Sequence, residues 1–419
     1  MQRRTTFGSL RTTNFRLMAT AQLLSNTGWW VAYTAQNWLV LSLTGSPAAV
    51  GLTAALGSLP TLVFGLAGGL LADRYPKRRI LLFYYAGWTC AAALLAGLTL
   101  AHVVQAWQVQ VIAACSGVVL AIGFPAQQAF VSELVGPAQL RNAISINSSV
   151  VYLAGLVGPA VSGLLIGTVG PGWSFLMTAV FYLAPIVALT RIRADELHAR
   201  PPVPAQRGQL RAALRYAVSH PDVLWPTILV GLYAMFTTNL AVTLAVYAKS
   251  IFHTGPGGYG LLTASVAVGS LGGALISARL RHTRLRTLML FAALLSALYM
   301  VAAAAQAQIL FCALLLGIGA STLLLQTSAN STVQLAAHDN IRGRIVGIYL
   351  LVYLGSSAVG GPLLGIIVQQ FGPRTGMLLA GALPGISTLL IAAILLTMRL
   401  RRGRAPRWVA SVVRTDSVD

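Results

Sequence analysis

The chain contains few acidic residues and little charge of any kind. Only eight of its 419 residues are Asp or Glu, and 9% are charged, whereas a soluble domain typically carries about 25% charged residues. This composition argues against a water-soluble domain. It also argues against a membrane-embedded enzyme, because the acids are few and the six histidines are scattered near loops rather than clustered.

Cysteine is scarce as well. Cys90, Cys115 and Cys312 all fall inside apolar stretches and lack the short spacings of metal ligands, so we interpret them as small core residues. No nucleophile–base pair, phosphate-binding loop or nucleotide-binding domain is apparent. The sequence therefore predicts no catalytic residue, no cofactor and no metal site, and a protein that is not an enzyme.

Apolar residues are abundant. They make up 56% of the chain, and the mean hydropathy is +0.75. Apolar runs of about 20 residues, long enough to cross a hydrocarbon core of roughly 30 Å, recur along the whole length. They predict an all-α polytopic membrane protein of twelve transmembrane helices, at residues 17–43, 48–71, 80–101, 107–135, 143–167, 171–190, 223–249, 257–278, 287–305, 308–336, 344–369 and 375–398.

Positive charge predicts the orientation of these spans. Of the 29 Lys and Arg residues, 27 fall in the two ends or in every second gap, and the alternate gaps hold only Lys249 and Arg374. We predict that the protein lies in the inner (cytoplasmic) membrane of the cell. The positive-inside rule then predicts that both termini are in the cytoplasm. Because the charges lie in short loops, the net charge of +21 indicates contact with anionic lipids at the cytoplasmic face, not nucleic acid. We expect a monomer.

The two halves of the chain resemble each other. Val151-Tyr-Leu recurs at Val352 and Gly170-Pro at Gly372, at offsets of 201 and 202 residues, as in transporters built from two parallel repeats. We predict a six-helix bundle at 1–190, a linker at 191–221, a second six-helix bundle at 222–400 and a basic cytoplasmic tail at 401–419.

Within the linker, apolar residues recur at helical spacing beside two arginines. They predict a short amphipathic helix on the cytoplasmic membrane face, and the alternative is a solvated basic linker. The residues concerned are Leu210, Arg211, Leu214, Arg215 and Val218.

The segment after span 2 carries Gly69, Asp73, Arg74, Arg78 and Arg79. It resembles the loop signature G-x-x-x-D-R-x-G-R-R of the major facilitator superfamily, with a proline at position 76 in place of the usual glycine. The resemblance implies a conformational latch, in which Asp73 faces the N-terminus of span 11 and closes the cytoplasmic side. A carboxylate at that place contributes about 0.3–1 kcal/mol. The alternative is that Asp73 only balances the neighbouring arginines.

Span 5 resembles, in part, the glycine-proline motif of exporters in this superfamily, which permits close helix packing and a kink. From about residue 8 to 400 the chain is similar to the enterobactin-exporter-like branch, which implies efflux of drugs, macrolides or siderophores, usually driven by protons. The packing residues we single out in spans 5 and 11 are Gly155, Gly158, Pro159, Gly163, Gly361 and Pro362.

All eight acids lie in or beside the predicted cytoplasmic face. Intramembrane acids are the usual proton carriers and cation ligands, and their absence favours a neutral, amphipathic or anionic substrate. The polar groups predicted to line the cavity are then amides. Each amide has two equally good interpretations: it contacts the substrate, or it forms a hydrogen bond between helices. The candidates are Gln22, Asn26, Gln36, Asn37, Gln127, Gln128, Asn147, Asn239, Gln326 and Asn330.

Proton coupling, if it exists, falls on Glu133 with Arg141 near the inner end of span 4. The alternative is that the two residues are simply an ion pair at the membrane edge. Together these patterns predict a secondary active transporter that exports a small amphipathic molecule, such as a drug, secondary metabolite or siderophore-like compound, by alternating access. An uptake facilitator or uniporter for a neutral metabolite is the alternative.

Overall fold

The computed structural model describes residues 8–198, 209–277, 279–280, 285–337 and 341–403. These residues are almost entirely helical and contain no strand, so the predicted all-α class is confirmed. In chain order the helices are α1 (Thr13–Thr44), α2 (Pro47–Arg74), α3 (Lys77–Leu100), α4 (Ala106–Thr168), α5 (Pro171–Arg191), α6 (Gln209–Ser219), α7 (Pro221–Thr237), α8 (Leu240–Val246), α9 (Gly255–Ser277), α10 (Leu285–Ala304), α11 (Gln308–Ala336) and α12 (Arg342–Gly403).

Two of these helices are too long for a single crossing, and a glycine interrupts each of them. Gly136 in α4 has φ 65° and ψ 177°, and Gly372 in α12 has φ 84° and ψ 165°. Only glycine adopts such positive φ values without a steric penalty. Each glycine therefore ends one helical arm and begins the next, so α4 and α12 each consist of two arms.

Ten helical segments of the described chain are long and apolar enough to cross a membrane, which agrees with a polytopic protein. The segment Arg344–Leu395 contains both arms of α12, and α1 is not among the ten. Helix α1 has 32 residues, but it carries four of the ten candidate amides, which lower its mean hydropathy. The count of twelve spans therefore stays a prediction.

Span 7 differs from the prediction, which drew one continuous helix over 223–249. Helix α7 ends at Thr237, α8 begins at Leu240, and a π-helical turn, Tyr247–Ile251, follows. At the break, Thr238 Oγ1 donates to Ser357 Oγ of α12 (2.7 Å) and Asn239 Nδ2 donates to the Ser357 carbonyl (2.9 Å). Broken helices occur at membrane depth where neighbouring groups form such hydrogen bonds.

Helices from both sides of the linker pack against each other. Helix α2 contacts α12, α4 contacts α9, and α1 contacts α8. Within each side, α1 and α2 pack on α4, and α9 packs on α11. The division into bundles at residues 190 and 222 stays a prediction, as does the tail, because residues 199–208 and 404–419 lie outside the described chain.

Large apolar side chains also cover the outside of the helical assembly. Phe83 and Ile309 are among the most exposed, while Tyr85, Phe130 and Phe311 are fully buried. A soluble protein would leave so large an apolar surface in water at great cost. A lipid surrounding removes that cost, so the distribution fits helices embedded in a bilayer.

Candidate functional site

At one end of the assembly, which we call the closed end, helix backbones from the two sides of the linker touch. A Cβ atom added at Gly51 of α2 would lie 2.2 Å from the Gly361 carbonyl oxygen of α12. A Cβ added at Gly163 of α4 would lie 2.6 Å from the Cα of Gly260 in α9. Such distances are possible only between residues without side chains, and this accounts for Gly163 and Gly361 of the predicted packing residues.

Hydrogen bonds join the same helices at the closed end. Gln369 Oε1 of α12 accepts from Ser46 Oγ (2.7 Å) and from the Ala48 N–H (3.3 Å). Ser46 is the N-cap of α2, and its hydroxyl also accepts from the Ala49 N–H (3.2 Å). Gln369 therefore completes the cap of a helix on the other side of the linker. Lys249 Nζ donates to the Leu41 carbonyl of α1 (3.3 Å).

At the opposite end, which we call the open end, one glycine of α2 and one of α12 have no close described neighbours. Midway along the pair, a Cβ added at Gly355 would lie 3.3 Å from Leu62 Cδ2. Nearer the open end, a Cβ added at Gly69 of α2 or at Gly347 of α12 would meet no described atom within 4 Å. The contact between the two helices therefore runs from the closed end to about the middle.

The predicted latch residues lie at the open end. Asp73 occupies the last turn of α2, but its side chain lies outside the described part of the structure. Arg74 and Arg79 are exposed. Arg78 Nη2 donates to the Thr190 carbonyl at the C-terminus of α5 (3.1 Å), where a cation is favoured by the helix dipole. In this conformation Arg78 thus ties α3 to α5 on its own side of the linker.

Glu133 forms an ion pair with Lys77 of α3. Its Oε1 lies 2.6 Å from Lys77 Nζ, and the two side chains are 12% and 18% exposed. The Arg141 side chain lies outside the described residues, so the predicted pair with Arg141 stays open. The sequence did not suggest Lys77 as this partner, although Lys77 lies just before predicted span 3 and Glu133 just before the end of predicted span 4, on the same predicted side of the membrane.

The ten candidate amides occupy different environments. Gln22, Asn37 and Asn239 are buried, and Gln128 is exposed. Several bond to nearby groups: Asn26 Nδ2 to the Gln22 carbonyl (2.7 Å), Gln127 Nε2 to Tyr85 Oη (3.1 Å) and Asn239 to α12. Asn239 therefore connects helices, whereas six of the ten amides are only partly buried. These are Asn26, Gln36, Gln127, Asn147, Gln326 and Asn330.

The first two glycines of the span 5 motif form a groove for an aromatic side chain. A Cβ at Gly158 would lie 2.4 Å from Trp30 Cβ, and one at Gly155 would lie 3.2 Å from Trp30 Nε1. Trp30 also meets Tyr33 edge-on, while Trp29 stacks on Tyr33 with ring centroids 5.2 Å apart. Trp30 is therefore fixed by packing against α4, which favours its interpretation as a core residue.

Comparison with known proteins identifies the family. The transmembrane secretion effector family matches residues 4–415, nearly the whole chain. The chain belongs to this family of the major facilitator superfamily. The enterobactin exporter EntS of Citrobacter koseri is 26% identical over 398 residues, covering 92% of this chain and 87% of the relative. EntS of Escherichia coli O1:K1 is 26% identical, covering 88% of each chain. The predicted family is confirmed, and this is a transporter, not an enzyme.

Solved structures show the same fold. A POT family transporter in complex with a thioalcohol-conjugated peptide superposes with a TM-score of 0.72 at 11% identity, over 94% of this chain and 99% of that one. The D-xylose-proton symporter gives 0.69 at 13% identity, over 89% and 96%. An inward-facing bacterial homologue of the lysosomal transporter Spinster gives 0.64 at 13% identity, over 92% and 95%.

The transporter thus combines three features: a closed end, an open end with a half-buried ion pair, and half-exposed amides on the helices between them. Among the described residues, no group of three or more His, Cys, Asp or Glu side chains is placed to bind a metal.

Proposed function

We propose that this transporter exports a small amphipathic molecule across the cytoplasmic membrane by alternating access. The carrying observation is the asymmetry of the two ends: α2 meets α12 backbone to backbone at the closed end, whereas a Cβ added at Gly69 or Gly347 toward the open end would meet no described atom within 4 Å. In a transporter whose two halves rock about a central site, each end state is closed at one end and open at the other. The positive-inside rule places the open end, and both termini, in the cytoplasm, so the site receives its solute from inside.

The proposed substrate class is neutral or anionic, such as a drug, secondary metabolite or siderophore-like compound. The candidate cavity residues are uncharged amides, and a cationic drug would need an intramembrane acid as its partner. The similarity to proteins named enterobactin exporters supports a siderophore-like molecule within this class. Uptake of a neutral metabolite is the second candidate, because an uncharged site does not set the direction of transport.

Direction and substrate are tested by comparing a deletion strain with its parent. We expect the deletion strain to retain one or more amphipathic metabolites inside the cell, and the plasmid-borne gene to restore their release. Purified transporter in vesicles should then move that metabolite. Normal metabolite release together with failure to acquire a neutral nutrient would instead establish the uptake function.

For the cytoplasmic latch we predict that Asp73→Asn reduces transport about two- to fivefold at unchanged expression. Loss of the carboxylate removes a favourable interaction of about 0.3–1 kcal/mol with a helix N-terminus, and any additional hydrogen bond adds to it. The measurement is initial flux in vesicles per amount of protein. Asp195→Asn is the matched control, since Asp195 is an exposed acid in the turn after α5. Equal flux in both variants would contradict the latch.

Proton coupling is proposed at Glu133. Glu133 is paired with Lys77 at 2.6 Å at the end of the assembly that opens, so movement of that end can separate the pair and expose the carboxyl group to the cytoplasm. We predict that Glu133→Gln abolishes efflux against a concentration gradient but keeps downhill efflux. Full uphill efflux with the wild-type dependence on pH would show that protons couple elsewhere or not at all.

A further inference from the structure

Helix α6 presents three different stripes along its length. At about 100° per residue, Ala213 and Ala217 share one stripe, Leu214 and Val218 the next, and Arg215 and Ser219 the third. The alanines are buried, whereas the other four side chains are exposed. The helix predicted in the linker therefore exists over Gln209–Ser219. Around its axis, a buried alanine stripe is followed by an exposed apolar stripe and then by an exposed polar stripe.

Tyr216, which lies beside the alanine stripe, attaches α6 to the second half of the transporter. Tyr216 Oη donates to the carbonyl of Ala336, the last residue of α11 (2.8 Å). The Tyr216 ring also stacks on His220, with centroids 3.6 Å apart, at the start of α7. Because α7 and α11 both reach the open end here, these contacts hold α6 at the open end of the assembly.

The apolar stripe has no protein cover in the described structure. Leu214 is 46% exposed and Val218 is 65% exposed. Leu335, beside the docking point of Tyr216, is 67% exposed. These apolar side chains lie beside the last residue of α11 and the N-cap of α7, two helices long and apolar enough to cross a membrane, and the exposed Arg215 is next to them. An apolar stripe beside a cationic one is typical of helices that lie in the headgroup region.

We propose that α6 binds the anionic inner surface of the bilayer and thereby ties the open end of α11 to the membrane. Leu214 and Val218 enter the boundary between headgroups and acyl chains, while Arg215 extends to the lipid phosphates. The occupant is the lipid surface and not a protein partner, because the stripe is narrow, lies beside the ends of two membrane-spanning helices and is bordered by the exposed Arg215. This inference does not depend on which substrate is transported.

The test places an environment-sensitive fluorophore on the full-length transporter at a cysteine introduced by Val218→Cys, after Cys90, Cys115 and Cys312 have been replaced by Ala. Ser219→Cys is the matched control, since position 219 is one residue further around the helix on the polar stripe. The protein is placed in vesicles of phosphatidylcholine mixed with phosphatidylglycerol, or of phosphatidylcholine alone. Spin-labelled lipid serves as the quencher.

In anionic vesicles we expect quenching at position 218 to exceed that at 219 at least about threefold. The difference should shrink in phosphatidylcholine alone and in Arg215→Gln, because one cation near an anionic surface changes the binding constant about fivefold. Equal quenching at 218 and 219 would overturn the proposal. So would a signal at 218 that depends on protein density but not on the quencher, which would indicate a contact between two copies.

Discussion

Gly51→Ala is expected to reduce transport at least about fivefold while the protein still reaches the membrane. The new methyl carbon would lie 2.2 Å from the Gly361 carbonyl oxygen and 2.8 Å from its carbon, and both are backbone atoms that cannot rotate away. Overpacking of this kind typically costs about 1–3 kcal/mol. That cost falls on the closed-end contact alone, so it disfavours one end state of the cycle by about five- to 150-fold.

Two further measurements separate this effect from general destabilisation. Gly97→Ala is the matched control, because Gly97 lies inside α3 and a Cβ there meets no described atom within 4 Å; we expect wild-type flux. In the Gly51→Ala background, a cysteine at Ser46 should react faster with a water-soluble reagent, because the cap shared with Gln369 opens. Wild-type flux with unchanged reactivity at position 46 would contradict the role of the closed end.

Lys77→Met is expected to lower both stability and transport. Its loss leaves the Glu133 carboxylate, 12% exposed, without its partner at the membrane edge. Removing one member of a fully buried pair costs about 3–5 kcal/mol; we expect about 1–3 kcal/mol here, because residual solvent contact screens the charge. The measurement is the apparent melting temperature in detergent together with flux in vesicles.

A charge reversal tests whether the pair itself is responsible. The double variant Lys77→Glu with Glu133→Lys should recover most of the melting temperature that either single variant loses. Recovery of stability without recovery of uphill efflux would assign Glu133 a role in coupling beyond the ion pair. Additive losses in the double variant would show that Lys77 and Glu133 act independently.

Some residues of the site could be predicted from local sequence patterns, whereas their contacts could not. Gly163 and Gly361 were singled out because small residues at helix interfaces are a local pattern, and both meet a glycine of the other half. Asn239 was singled out as a cavity amide, but its hydrogen bond to Ser357 connects residues 118 positions apart. No local pattern predicts that pairing, and the break of span 7 beside it was missed for the same reason.

Hydropathy and the distribution of arginines by themselves determined the membrane-embedded all-α class and the predicted orientation, because both depend on the free energy of transferring individual residues into lipid. The loop after span 2 and the overall similarity pointed to the superfamily. Only the tertiary structure decided which partners meet: Lys77 with Glu133, Gln369 with the cap of α2, and Gly51 with Gly361. These contacts depend on how rigid helices that are far apart in the chain are placed relative to each other. The free energy of transferring single residues into lipid does not specify that placement.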